Sequence, residues 1–154
     1  VRIGVDVGRA RVGVSRCDRD GLLATPVETI QRASTEPVAR LAEIAAELEA
    51  VEAVVGLPIS LSGGDTPSTQ DAREMAAMLA ATMPVRLVDE RLSTVTASAG
   101  MRASGKSTRQ QRAAIDQAAA VVILQHALDS ERAAGRAPGE LLSSGEHAAE
   151  REED

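Results

Sequence analysis

The sequence predicts an α/β fold, a mixed sheet with helices packed on its faces. Three observations carry that prediction. The opening Arg2–Ser15 stretch reads as two strands joined by a tight turn. Short apolar runs then alternate with amphipathic helical stretches, and one long helix is apolar on every side at its centre. The resulting order is βββαβαβα, with no internal repeat. A chain of 154 residues that is 44% hydrophobic is long enough for one domain with a real core. Phe, Tyr and Trp are absent, so that core is Val, Ile, Leu, Met and Ala. The domain is expected over 1–140, followed by an acidic, disordered tail over 141–154.

Ile3, Val5 and Val7 alternate with Arg2, Gly4, Asp6 and Gly8, the two-residue period of a strand. One face is β-branched, and the other is nearly bare backbone carrying a single carboxylate. Glycines on that face let another backbone or a phosphate come close. A carboxylate beside the core is costly unless it is paired, protonated or bound to a cation. Asp6 is therefore a candidate first ligand of a metal site; the competing reading is a structural Asp that ends the strand. After Arg9-Ala10-Arg11, the run Val12–Ser15 is a second, antiparallel strand. Leu22–Ile30 completes a meander, with Pro26 marking an edge position or a bulge.

Ser34-Thr35-Glu36-Pro37 offers a hydroxyl cap and a proline in the first turn of a helix. Val38, Leu41, Ile44 and Leu48 then recur at helical spacing. Ala53–Pro58 is a short buried strand. The Ser- and Gly-rich stretch Ile59–Thr66 is a loop, either closing over substrate or serving as an ordinary connection. Asp65 or Thr66 with Pro67 opens a helix running to about Thr82, with Met75, Met78 and Leu79 facing inward. Pro84–Val88 is a fifth strand, and Asp89-Glu90-Arg91 sits at its carboxyl end. A helix near Thr94–Met101 and a basic loop over Ala103–Ser107 follow. Thr108 caps the last helix, which runs to about Ala134, and Gly135–Gly139 ends the fold.

The formal net charge of −6 looks unsuited to a nucleic-acid binder until its distribution is read. Ser143–Asp154 carries a net charge of −4, which leaves −2 for the body. No acidic residue lies between Glu90 and Asp116, a window holding Arg91, Arg102, Lys106, Arg109 and Arg112. Without aromatic rings, a module that holds single strands by stacking bases is not expected. No apolar run is long enough to span a membrane, and nothing resembles a signal peptide. One cysteine, Cys17, rules out an internal disulfide, suits a reducing cytoplasm, and reads as a buried thiol. With one Cys and two distant histidines, His126 and His147, zinc is not indicated.

Asp116 lies one turn before an entirely apolar helical stretch. Arg109, Arg112, Asp116, Ala120 and Ile123 share one helix face. Asp116 is either the partner of Arg112 one turn away or a carboxylate aimed at the sheet. Glu90 is either part of a solvated turn or a site residue, because open α/β sheets bind ligands at the carboxyl ends of strands. Were Asp6, Glu90 and Asp116 to converge, divalent cations would relieve their repulsion. Mg²⁺ and Mn²⁺ prefer carboxylate and water oxygens, and two ions about 4 Å apart serve phosphodiester cleavage. The basic segment, with Arg11, would hold a phosphate backbone with little sequence selectivity.

Four motifs in order carry a family resemblance. They are Gly4-x-Asp6-x-Gly8-x-x-Arg11-x-Gly13-Val14, Gly56-Leu57-Pro58, Asp89-Glu90-Arg91-Leu92-Ser93-Thr94, and Asp116-x-x-Ala119-Ala120-x-x-Ile123-Leu124-Gln125. Together they resemble the YqgF family, also called RuvX or Holliday-junction-resolvase-like, from Arg2 to about Asp129. Gly63, Pro67, Gln70 and Arg73 also fall at matching positions, and Ser15 stands where an alanine is common. The resemblance implies an RNase H-like fold with a five-stranded mixed sheet, order 3-2-1-4-5, flanked by helices. It implies a divalent-metal nuclease with acidic residues Asp6, Glu90 and Asp116. It associates the chain with maturation of the 5′ end of precursor 16S ribosomal RNA, or with resolving branched DNA junctions, and with homodimers. A non-catalytic RNA- or ribosome-binding module is a further reading. The opening motif also resembles the phosphate loop of actin-like and sugar-kinase ATPases, but those need a second domain that this chain is too short to supply.

Overall fold

The computed structural model describes residues 1–58, 63–89 and 108–142, with side chains from position 111 onward in the last segment. Six strands form one sheet in the order β3-β2-β1-β4-β5-β6. They are β1 (Arg2–Val7), β2 (Arg11–Cys17), β3 (Ala24–Gln31), β4 (Glu52–Leu57), β5 (Val85–Asp89) and β6 (Glu140–Leu142). β1, β2 and β3 are an antiparallel meander, whereas β4 joins β1, and β5 joins β4, in parallel. The expected order is thus present, with one strand added. Gly135–Gly139 does not end the fold: the chain turns back there, and Glu140–Leu142 pairs antiparallel with β5. A three-residue strand made of Glu-Leu-Leu has no periodicity to announce it.

Pro26 accounts for two features at once. β3 is an edge strand, and its register with β2 shifts between Val14 and Ser15, where Ser15 pairs with Pro26. A residue without an N–H fits only such places.

Three described helices cover the sheet: α1 (Pro37–Leu48), α2 (Pro67–Leu79) and α3 (Thr108–Ala134). α1 is capped not by Ser34 or Thr35 but by the carboxylate of Glu36, which accepts from the Ala39 N–H at 2.7 Å. Thr66 caps α2 in a reciprocal box with Thr69, and Pro67 follows it. Met75 and Leu79 face inward as expected, but Met78 is exposed. It follows Met75 by three residues, and the narrow buried stripe of α2 runs through Ala72, Met75, Ala76 and Leu79 instead. The helix expected near Thr94–Met101 and the loop over Ala103–Ser107 lie outside the described residues.

The sheet separates two apolar layers. Ile3, Val5, Val7, Val12, Val14, Val55 and Leu87 pack beneath α1 and α2. Val54, Val88 and Cys17 pack against Ile123, Leu124, Ala127 and Leu128 of α3. The centre of α3 is only partly enclosed: Ala119, Ala120, Ile123 and Leu124 are buried, while Ala118, Val121 and Val122 are half-buried. Cys17 is a free, buried thiol, as expected.

Candidate active site

The α3 side of the meander is almost without side chains, which lets the helix lie directly on the backbone. By strand alternation Gly4 and Asp6 of β1 share this face with Arg11, Gly13 and Ser15 of β2. A Cβ at Gly13 would stand 2.0 Å from the Asp116 carbonyl oxygen, and one at Gly4 2.8 Å from that of Ala120. Such contacts leave room for glycine only. Ser15 is fully buried, and its hydroxyl donates to the Ala120 carbonyl at 2.7 Å. Ser15 is thus a tie between β2 and α3. Thr29 donates to the Ala113 carbonyl at 3.0 Å, and Gln117 donates to the Thr29 hydroxyl at 3.1 Å. Gln125 accepts from the Ala24 N–H and donates to the Leu22 carbonyl, both at 2.8 Å. These positions of α3 hold the β2–β3 end; the spacing of the sequence contained no sign of their partners.

This close packing brings two of the three candidate carboxylates together. Asp6 pairs with Gly13 across the β1–β2 ladder, a step of roughly 4.5–5.5 Å. Gly13 in turn abuts Asp116. Asp6 is half-buried, and the Asp116 side chain is 15% exposed. Asp116 accepts a hydrogen bond from Arg11 Nε at 2.7 Å, on Oδ2. Its ion-pair partner is therefore Arg11, not Arg112 one turn earlier. Helix spacing alone misses that, because the pairing spans 105 residues of chain.

A tight turn delivers Arg11. The Gly8 N–H donates to the Arg11 carbonyl at 2.9 Å, and a Cβ at Gly8 would lie 2.7 Å from that oxygen. Arg32, which the sequence did not single out, holds this turn from outside. Its Nη1 donates to the Gly8 carbonyl at 2.8 Å and to Asp71 Oδ2 at 2.7 Å, while Nη2 donates to Asp71 Oδ1 at 3.2 Å. The hydrogen bond to Asp71 holds the Arg32 guanidinium charged over a wider pH range than usual, against an opposing effect of burial. The Arg32 N–H also donates to the Ala10 carbonyl at 3.0 Å.

A cleft of about 330 Å³ opens beside the ion pair, lined by Arg11, Gln31, Arg112 and Ala113. Arg112 is exposed there. A second hollow, of about 270 Å³, lies at the far end of α3 around Arg2, Cys17 and Glu131. Its principal charges satisfy each other, with Arg2 Nη1 2.7 Å from Glu131 Oε2, and it is remote from Asp6 and Asp116.

Asp89 ends β5 opposite Leu57 of β4. Glu90, Arg91, Arg102 and Lys106 lie outside the described residues, as does the side chain of Arg109. Among the described residues no group of three or more His, Cys, Asp or Glu side chains stands within reach of one ion. Asp6 and Asp116, which both neighbour Gly13, supply hard oxygen donors. That set suits Mg²⁺ or Mn²⁺ rather than a thiophilic metal, and Glu90 is the only one of the three proposed ligands not described. Also among the described residues, no helix is long and apolar enough to cross a membrane.

Comparisons with known proteins bear on the family and the fold. The model of the RuvX family, described as Holliday junction resolvase, matches residues 1–130. A relative from Clavibacter sepedonicus named "Putative pre-16S rRNA nuclease" is 56% identical over 145 residues, covering 92% of this chain and 90% of its own. One of the same name from Streptomyces coelicolor is 56% identical over 144 residues, covering 90% and 86%. Among solved structures, Thermus thermophilus RuvC in complex with a Holliday junction substrate superposes with a TM-score of 0.55 at 16% identity, over 90% of this chain and 98% of the other. A second T. thermophilus RuvC structure gives 0.53 at 18%, over 90% and 99%. Likeness at that identity speaks for the fold, which is the RNase H-like one expected, with six strands in place of five. With the family model spanning the sheet and α3, and relatives alike over nine-tenths of the chain, the protein belongs to the RuvX (YqgF) family.

Proposed function

We propose that this chain is a divalent-metal-dependent endonuclease that hydrolyses phosphodiester bonds in the 5′ region of precursor 16S rRNA. The observation that carries the reading is the juxtaposition of Asp6 and Asp116 through Gly13, on the bare face of the sheet. Relatives at 56% identity carrying the pre-16S rRNA nuclease name support the substrate. In this reading Asp6, Glu90 and Asp116 hold Mg²⁺ or Mn²⁺, as two ions. Such ions, when bound, activate a water and stabilise the leaving oxygen. The chain's own part is to keep the two carboxylates side by side despite their repulsion, with α3 and β2 as the rigid backing. Arg91, Arg102, Lys106, Arg109 and Arg112 grip the phosphate backbone on the approach to the acidic residues, a contact without base selectivity. The protein acts in the cytoplasm, as a homodimer.

A second reading, resolution of four-way DNA junctions, is favoured by the family description and by the likeness to a RuvC seen with a Holliday junction. One experiment separates the two. Labelled precursor 16S 5′-end RNA and a four-way DNA junction are incubated with Mg²⁺ or Mn²⁺, and with EDTA. Asp6→Asn, Glu90→Gln and Asp116→Asn serve as controls. Metal-dependent cutting of the RNA, lost in all three variants, is expected. Preferential paired cuts in the junction would move the substrate to DNA. RNA binding without cleavage of either would leave a binding module.

A further inference from the structure

Arg11 belongs by charge with the phosphate-gripping cations, yet its guanidinium is committed to Asp116. Single contacts occur at exposed pairs such as Arg73–Asp65 and Arg132–Asp129, but four part-buried pairs of the fold take another form. Arg2–Glu131, Arg32–Asp71, Arg40–Glu28 and Arg86–Glu52 are forked, with two guanidinium nitrogens on both carboxylate oxygens. The fork is the favoured geometry of an arginine–carboxylate pair. Arg11 instead gives one nitrogen, Nε, to one oxygen, Oδ2, at 2.7 Å. Among the described residues, Oδ1 of Asp116 accepts no hydrogen bond. A carboxylate that is 15% exposed, held by one oxygen and, among the described residues, open at the other, has its second atom to offer a ligand.

The position of Arg11 is itself over-determined. Gly8 closes the turn that precedes it, Arg32 ties that turn to Asp71, and the residue pairs with Gln31 in the β2–β3 ladder. A side chain whose work is to follow a mobile phosphate backbone has no need of such fixing. One that sets the angle of a carboxylate does. Resting on the nuclease reading above, we infer that Arg11 is a positioning residue for Asp116, fixing Oδ2 so that Oδ1 is the oxygen offered to a divalent cation.

The test is Mn²⁺ binding to the full chain without RNA, followed by the electron paramagnetic resonance signal of free Mn²⁺. The variants are Arg11→Ala, Arg11→Lys and Asp116→Asn. Arg11→Ala should weaken Mn²⁺ binding about 10- to 100-fold, the usual loss for a group that orients a metal ligand. Arg11→Lys should recover most of it, since one ammonium hydrogen can replace the single Nε–H, and it guards against a folding defect in the alanine variant. RNA retention in EDTA, and its dependence on salt, should be unchanged in both. Mn²⁺ affinity equal to or tighter than the parent's in Arg11→Ala would overturn the inference, making Arg11 a counter-ion or a structural pin. Intact Mn²⁺ affinity with a salt slope lowered by about one would also overturn it, returning Arg11 to the phosphate contacts. A parent with no Mn²⁺ binding sensitive to Asp116→Asn would refute the nuclease reading itself; a parent that has it, with Arg11→Ala unaltered, refutes only the role of Arg11.

Discussion

Replacing Gly13 with alanine strikes the point where β2 sets the height of Asp116. The added Cβ would stand 2.0 Å from the Asp116 carbonyl oxygen, 2.4 Å from its carbon and 3.1 Å from its Cβ. Ordinary contact begins near 3.4 Å, so the helix backbone has to withdraw by roughly 1.4 Å. No rotamer change relieves a clash with a backbone carbonyl. The retreat cannot be confined to one residue, because Ala119, Ala120, Ile123 and Leu124 follow directly and are at most 1% exposed. A gap of 0.5–1 Å already forfeits a quarter to a half of each dispersion contact, so the cost belongs at or above the top of the usual 1–3 kcal/mol for overpacking, about 3 kcal/mol. The same shift lifts Asp116 away from Asp6, and a displacement of about 1 Å at a reacting site costs on the order of 100-fold in rate. Urea unfolding should show a lower midpoint at unchanged slope, and cleavage in Mg²⁺ should fall in parallel. Gly135→Ala is the control: it strains a positive φ of 76°, but nothing lies within 4 Å of its Cβ. It should lose about 1 kcal/mol and keep its activity. A Gly13→Ala protein within about 0.5 kcal/mol of the parent, cutting at the parent's rate, would refute the close-packing account of the site.

Other outcomes follow from the same contacts. Gly4→Ala should destabilise by about 2 kcal/mol or more, whereas Ser15→Ala should lose no more than about 1 kcal/mol; the double variant recovers only part of the Gly4 effect, because the Ala120 carbonyl and Leu124 Cβ remain 2.8 Å from the new methyl. The Arg40 guanidinium holds the Glu28 carboxyl below the usual glutamate range, mainly by a hydrogen bond, against a smaller opposing effect of burial. A lowered folded-state value means stability present above the ordinary glutamate range and lost as pH falls through the lowered one. Glu28→Gln should therefore cost up to about 1 kcal/mol at pH 7, with parent and variant melting temperatures converging on acidification. Asp71→Asn, which breaks the forked pair with Arg32, should slow cleavage more than it lowers stability, as read from kcat and the urea midpoint together. Arg109→Ala with Arg112→Ala should weaken RNA binding and reduce the salt slope by about two, while leaving Mn²⁺ affinity unaltered.

Much of the fold was legible because its elements advertise themselves locally. The alternation of Ile3, Val5 and Val7, the helical spacing of Leu41 and Ile44, and the apolar centre of α3 depend only on neighbours in the chain. The carboxylates were legible by type: Asp6 and Asp116 are acidic residues placed against apolar surroundings, which is an electrostatic anomaly visible in one dimension. The family motifs added the expectation that they meet. What the chain order could not reveal were interactions whose two halves lie far apart in it. Arg11 and Asp116 are 105 residues apart, as are Ser15 and Ala120, and Arg32 and Asp71 are 39 apart. Helix spacing offered Arg112 as the partner of Asp116, and only the packing of α3 on the glycine face of the sheet decided for Arg11. β6 is of the same kind, three residues made into a strand by the open edge of β5 and nothing in themselves. Sequence by itself determined which groups are candidates for the site, because local physics selects residue types and periods; tertiary structure decided which group holds which, because that depends on distances no spacing along the chain encodes.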